Sequence, residues 1–116
     1  MARISQNEVL FAGGINFSFK AICDDAFIYN LQTRKVKKVP NMKKIRYTFS
    51  LIKFKNFVYA IGGREYGSDK NAIFQDCERL NLDSMQWERI EGLNISRCTS
   101  NAFIYKDTLM VAGGFC

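Results

Sequence analysis

Residues able to do chemistry are present in this chain, but they lack the spacing that would make them work together. There is no histidine, which removes the commonest general base and metal ligand. Four carboxylates, Asp24, Asp25, Asp76 and Glu78, could form an acid/base pair. Asp25 and Asp76 nevertheless stand at matching positions 51 residues apart, where a turn or strand-start role accounts for both. Ser50 and Ser100 have no G-x-S-x-G context around them. The cysteines Cys23, Cys77, Cys98 and Cys116 lie 54, 21 and 18 residues apart with no C-x-x-C pair. That spacing suits neither a zinc site nor a disulfide framework and predicts reduced, mostly buried thiols. No catalytic set, metal or cofactor is expected, so the chemistry left to the chain is recognition.

The elements that must position such recognition announce themselves by repetition. Diglycines Gly13-Gly14, Gly62-Gly63 and Gly113-Gly114 recur at intervals of 49 and 51 residues, each ending an apolar run (VLFAGG, FVYAIGG, LMVAGG). Asn7, Asn56 and Asp107 each lie six residues before the first glycine, as turn residues do between two strands. Arg46 and Arg97 each lie 16 residues before their diglycine. In the second half of the unit, Asp25 to Leu31 matches Asp76 to Leu82, with Val36 and Trp87 seven residues after Tyr29 and Leu80. Tyr29-to-Arg46 and Leu80-to-Arg97 are both intervals of 17, so the two-residue difference in period lies between diglycine and aspartate. That segment reads as an exposed loop, where insertions are tolerated. Strands are expected at 3–5, 8–12, 25–30, 34–39, 48–54, 57–62, 76–81, 86–90, 99–105 and 108–113.

A period near 50 residues is that of successive four-stranded propeller blades. With the offsets above, the chain resembles the kelch-repeat family over essentially its whole length. It departs from the pattern where Leu80 replaces tyrosine, Val36 replaces tryptophan, and Lys43 and Asn94 replace the proline before the arginine. The resemblance implies an all-β, kelch-type β-propeller segment of about two and a half four-stranded antiparallel blades. These divide as blade 1 at about 2–42, blade 2 at about 43–93 and the start of blade 3 at about 94–116. Tyr29 and Trp87 are then blade-packing residues, and the diglycines allow close backbone approach. Neither GGINFS nor GGREYG has the spacing or lysine of a phosphate loop. A ring needs about 4–8 blades, so remaining blades in cis, or self-association, are expected to complete it.

Composition is that of a globular protein, with 47% hydrophobic and 24% charged residues. No apolar stretch is long enough to span a bilayer and no export signal is apparent, which makes the cytoplasm the expected location. The sequons at Asn16 and Asn94 read as chance matches. Charge is uneven. Residues 34–55 carry nine lysines or arginines (Arg34, Lys35, Lys37, Lys38, Lys43, Lys44, Arg46, Lys53 and Lys55) and no acid, against eight basic and eleven acidic residues elsewhere. Two readings stand: a solvated edge strand protected from aggregation, or a contact for an acidic partner. With few interleaved aromatics, nucleic acid is the weakest choice of partner.

What the resemblance implies for function is a protein–protein interaction module: a scaffold or substrate-recruiting adaptor, of a cullin ubiquitin ligase or associated with actin. The alternative is a segment of a propeller enzyme of the oxidase or sugar-epimerase type whose catalytic residues lie in other blades. In the family, partners dock on the segments after Gly-Gly and after the motif arginine. By motif position these contain Asn16, Phe17, Arg64, Tyr66, Tyr47, Thr48 and Thr99, beside Ile15, Glu65, Cys98 and Phe115. Arginine and tyrosine are hot-spot types, which singles out Arg64 and Tyr66. For Arg46 and Arg97, recurrence in register favours a structural role between blades.

Overall fold

Two-residue turns build the first level of the structure. In the computed structural model, which describes residues 1–16, 18, 19, 21–66 and 72–115, β7 (Ser50–Phe54) folds onto β8 (Phe57–Ile61) through Lys55-Asn56. β11 (Asn101–Tyr105) folds onto β12 (Thr108–Ala112) through Lys106-Asp107. Lys55, Lys106 and Asp107 adopt left-handed backbone, which matches the twist of the flanking strands. A second recurrent turn joins the later strands of each unit. Asn30 Oδ1 accepts from the amides of Gln32 and Thr33, and Asn81 Oδ1 accepts from those of Asp83 and Ser84. The amides of Leu31 and Leu82 donate to the carbonyls of Asn7 and Asn56, so the early and late turns of each unit are tied together.

The strands assemble into two four-stranded and two two-stranded antiparallel sheets. In the first, β1 (Ala2–Arg3), β2 (Glu8–Ala12), β5 (Ala26–Asn30) and β6 (Val36–Val39) lie in that order. In the second the order is β7, β8, β9 (Cys77–Asn81) and β10 (Gln86–Ile90). The third sheet is β11–β12. Strand β7 lies beside both β1 and β11, placing these three at a common inner edge with β6 and β10 outermost. Sheets of four antiparallel strands succeeding one another in this way form a propeller segment of two and a half blades, and the all-β expectation holds.

The core lies between the first two sheets. Leu10, Ala26, Ile28 and Val39 of the first meet Val58, Ala60, Leu80 and Trp87 of the second, and Ala2 and Met42 close the cluster. Cross-strand partners share a face, and the pairs Leu10–Ile28 and Val58–Leu80 lie in register. Burying a side chain such as Leu80 contributes about 1.5–3 kcal/mol. Trp87 also satisfies its indole, donating from Nε1 to the Pro40 carbonyl at 2.7 Å.

Two parts of the structure differ from expectation. The segment after Gly14 is not a featureless loop, because β3 (Ile15–Asn16) and β4 (Ala21–Ile22) pair with each other. After Gly63, Arg64 forms an isolated bridge with Ile73, and Phe74 is buried. An apolar residue in a surface connection can fold back onto its own sheet, which loop length alone does not reveal. Expected strands 25–30, 34–39, 48–54 and 99–105 begin one or two residues early, and the first strand is Ala2–Arg3 rather than 3–5. No helix occurs among the described residues, and none is long and apolar enough to cross a membrane.

Candidate functional site

The diglycines are where one blade meets the next. The amides of Gly13 and Gly62 donate to the carbonyls of Asp25 and Asp76, at 3.0 and 3.2 Å. The Gly63 amide donates to the Arg97 carbonyl at 2.7 Å, bringing the connection into the third sheet down onto the diglycine of the second. At Gly62, with φ +64°, a methyl group would overlap the Arg97 carbonyl oxygen outright. Gly63 faces its own blade, where a Cβ would lie 2.9 Å from the Tyr47 carbonyl oxygen. One glycine therefore admits the neighbouring blade and the other admits the preceding connection.

Arg46 is a fully buried polar group in this network. Its Nη1 donates to the carbonyls of Gly62 (2.7 Å) and Asp76 (2.8 Å), and its Nη2 to Glu78 Oε2 (3.0 Å). Both side chains of the pair are 1% exposed. Glu78 in turn accepts from the backbone amides of Lys43 and Lys44 at 2.7 and 3.1 Å. The ion pair thus fastens the connection between blades to the middle strands of the second. Arg97 repeats the 16-residue reach, donating from Nη1 to the Gly113 carbonyl at 2.8 Å. Glu78, one of the four carboxylates noted in the sequence, is shown by the structure to be the buried partner of Arg46, and one signal for this was available: a carboxylate in the repeat position that Phe27 holds in the first unit.

Two residues beyond Arg46, at Thr48, the backbone turns left-handed. Tyr47 and Arg64 exchange backbone hydrogen bonds of 3.2 and 3.0 Å, and Cys98 and Phe115 do the same one blade later. Thr48 and Thr99 adopt φ of 52° and 51°, a region that β-branched residues rarely enter. The Thr99 amide donates to the Thr48 carbonyl at 2.7 Å. The Arg64 guanidinium lies 5.4 Å from the Tyr47 ring, and Tyr66 meets that ring edge-on at 6.0 Å. Buried donors at Arg64 Nε and Thr48 Oγ1 have no hydrogen-bond partner among the described residues. Of the partner-facing residues expected from the sequence, Tyr47, Arg64 and Tyr66 therefore converge, with Thr48 next to Tyr47 and Thr99 bonded to Thr48. Asn16 is engaged in its own turn, its Oδ1 accepting from the amides of Ser18 and Phe19. Phe17 lies outside the described residues.

The basic stretch does not present one surface. Along β6, Lys37 sits opposite Ile28 and Lys38 opposite Phe27, so alternation sends them to opposite faces of the sheet. Lys37 borders a cavity of about 340 Å³ between the sheets with Ile4, Glu8, Leu82, Asp83 and Met85. Lys44 is committed, pairing with Asp76 and covering the Phe74 ring at 3.9 Å. That hydrogen bond holds the Asp76 carboxyl below the usual carboxylate range. Arg34, Lys35 and Lys43 are exposed. Among the thiols, burial pushes Cys77 up in pKa and Cys98 is also buried, while Cys23 is partly exposed.

Comparison with known proteins gives a distant relation. The chain is 26% identical over 111 residues to a "Kelch repeat and BTB domain-containing protein 2" of cowpox virus strain GRI-90 / Grishak, and 25% identical to the protein of that name in strain Brighton Red. Each match covers 96% of this chain and 19% of the relative, so the chain spans about a fifth of the length of the curated relatives it matches. This supports a kelch-like relation. No protein-family model matches the chain.

Proposed function

We propose that this chain is a non-catalytic protein-interaction module, one continuous repeat region whose sheets hold the Tyr47–Arg64–Tyr66 loops still for a protein partner. The carrying observation is the combination at those loops: two tyrosines flanking an arginine, beside threonines held in left-handed backbone. Residues held in sparsely populated conformations cluster at ligand clamps, because the surrounding structure must over-determine them. Arginine offers a forked donor to carboxylates, which favours a partner with acidic side chains. The distant relation to kelch-repeat proteins supports a scaffold or substrate-recruiting role. An actin-binding reading draws less support, since the lysines it would use are divided between two sheet faces and one of them, Lys44, is paired with Asp76.

Selection of a displayed random-peptide library on the immobilised chain tests the reading. It should enrich acidic sequences. Binding of the selected peptides should weaken at least about tenfold in both Arg64→Ala and Tyr66→Ala, as expected of hot-spot residues. Enrichment that both variants leave intact would place recognition elsewhere.

A further inference from the structure

Each four-stranded sheet has an outer edge that stacking does not cover. A neighbouring sheet packs on a face, as the second packs on the first, whereas the outermost strands β6 and β10 present their backbone sideways. Strand β6 lies between β5 and β7 in the chain and completes a set of four, so its edge owes nothing to where the sequence starts or stops. Hydrogen-bond register shows what that edge offers. The Asn30 amide donates to the Lys35 carbonyl at 2.9 Å, which makes Asn30–Lys35 a hydrogen-bonded pair. Antiparallel pairs alternate, so the ladder to β5 next uses Ile28–Lys37 and Ala26–Val39 and passes over Tyr29–Val36 and Phe27–Lys38. The amides and carbonyls of Val36 and Lys38 therefore point to the open edge, and among the described residues no strand pairs with it.

Lysine commonly guards such an edge against unwanted pairing, but a guard alone does not account for β6. The equivalent strand β10 carries Glu88 and Arg89, with Glu88 paired to Arg79, so basic charge is no requirement of the position. At β6, Arg34, Lys35, Lys37 and Lys38 are all exposed with no acid among them. Among the described residues none of the four forms an ion pair, and Lys37 borders the cavity it shares with Glu8 and Asp83 without pairing with either. Lys37 and Lys38 project to opposite faces of the sheet. A flat acidic surface reaches one of them, whereas a strand laid along the edge sends alternate side chains to both faces and meets the two together.

We propose that β6 is the docking edge for an extended, acidic segment of a partner protein, which joins the first sheet as a fifth strand. Its backbone bonds to the outward groups of Val36 and Lys38, and adjacent carboxylates on it stand opposite Lys37 and Lys38. Backbone pairing supplies the affinity and the two-faced charge supplies the selection. This edge shares no residue with the Tyr47–Arg64–Tyr66 loops and does not depend on them.

Fluorescence anisotropy of a labelled peptide on the whole chain tests this. The probe is a blocked peptide of about ten residues, valine and threonine with two adjacent glutamates at its centre; the control carries lysines in their place. The acidic peptide should bind, the lysine peptide should not, and binding should slow hydrogen exchange at the Val36 and Lys38 amides. Lys38→Pro removes an outward donor at an edge position that tolerates proline, and Lys37→Glu/Lys38→Glu reverses the charge on both faces. Each should raise the dissociation constant at least about tenfold, with β-sheet circular dichroism identifying folded samples. Where a variant does not fold, N-methylation of alternate peptide amides replaces it: the set facing β6 should abolish binding and the set facing away should leave it intact. Arg64→Ala should bind the peptide as the unmodified chain does. The proposal is overturned by an acidic peptide that does not bind, by exchange at Val36 and Lys38 that binding leaves unchanged, by equal sensitivity to the two N-methyl sets, or by a dissociation constant that either folded β6 variant leaves unmoved. Loss of binding in Arg64→Ala likewise overturns it, since the peptide then occupies the loops.

Discussion

Replacing Arg46 with methionine should cost more stability than any comparable change at a basic residue in the chain. The substitution strands the Glu78 carboxylate, 1% exposed, with only the Lys43 and Lys44 amides for partners. It also removes the donor shared by the Gly62 and Asp76 carbonyls. Breaking a buried pair by removing one member costs about 3–5 kcal/mol. At roughly 0.05–0.15 kcal/mol per residue, a chain of this size has about 6–17 kcal/mol in all. With a urea m-value near 2 kcal/mol/M, the midpoint should fall by about 1.5–2.5 M. The chain has one tryptophan, Trp87, which is buried between the sheets, so its fluorescence reports the transition directly. Samples are compared at one concentration, because association shifts apparent stability. Arg97→Met is the internal control: Arg97 is partly exposed and, among the described residues, its guanidinium makes one hydrogen bond, to Gly113, so about 1 kcal/mol is expected. The double variant Arg46→Met/Glu78→Leu should recover much of the loss, since neither charge is then buried alone. Equal costs for Arg46→Met and Arg97→Met, or a double variant as unstable as the sum of the singles, would refute the buried-pair argument.

Two further outcomes can be checked on the same instrument. Gly62 and Gly113 share a repeat position and φ of +64° and +70°, but a Cβ would strike the Arg97 carbonyl at Gly62 and meet nothing within 4 Å at Gly113. Gly113→Ala should therefore cost about 1–2 kcal/mol from backbone strain alone, and Gly62→Ala clearly more; similar midpoints would mean that the blades are not held at this distance. Because Lys44 depresses the folded-state pKa of Asp76, the stability this contributes is present above the ordinary carboxylate pKa of about 4 and is lost as pH falls through the depressed value. Lys44→Met should flatten the dependence of the urea midpoint on pH below about 4, and an unchanged acid limb would rule the contact out as a source of acid sensitivity.

The parts of the fold legible in the sequence are those that the backbone repeats. Diglycines, Asn30 with Asn81, and the 16-residue reach from Arg46 to Gly62 recur because each unit solves the same turn and closure problem with the same residue types. What stayed hidden is specific to one unit. The β3–β4 ladder and the buried Phe74 lie where the units differ in length, so no second copy existed to compare. Glu78 replaces an aromatic at its repeat position, and composition alone cannot distinguish a buried, paired carboxylate from a solvated one. The left-handed backbone at Thr48 and Thr99 ran against residue preference, which places threonine in strands; only its recurrence at 51 residues hinted at a shared constraint.

The order Arg46, Tyr47, Thr48 links the scaffold to the proposed recognition loops. A β-branched residue in left-handed backbone costs on the order of 1–3 kcal/mol and persists only where its surroundings dictate it. Here Arg46 is held by three hydrogen bonds, Tyr47 is bridged to Arg64, and the Thr48 carbonyl receives the Thr99 amide from the next blade. The strain at Thr48 is thus bracketed by contacts within the second sheet on one side and between sheets on the other. Loosening either set should let the loop relax, moving the Tyr47 ring away from Arg64 and Tyr66. Stability at the buried pair and geometry at the loops are therefore coupled through a single residue step. Partner affinity should fall in Arg46 variants that remain folded, even though Arg46 itself is sealed from any partner.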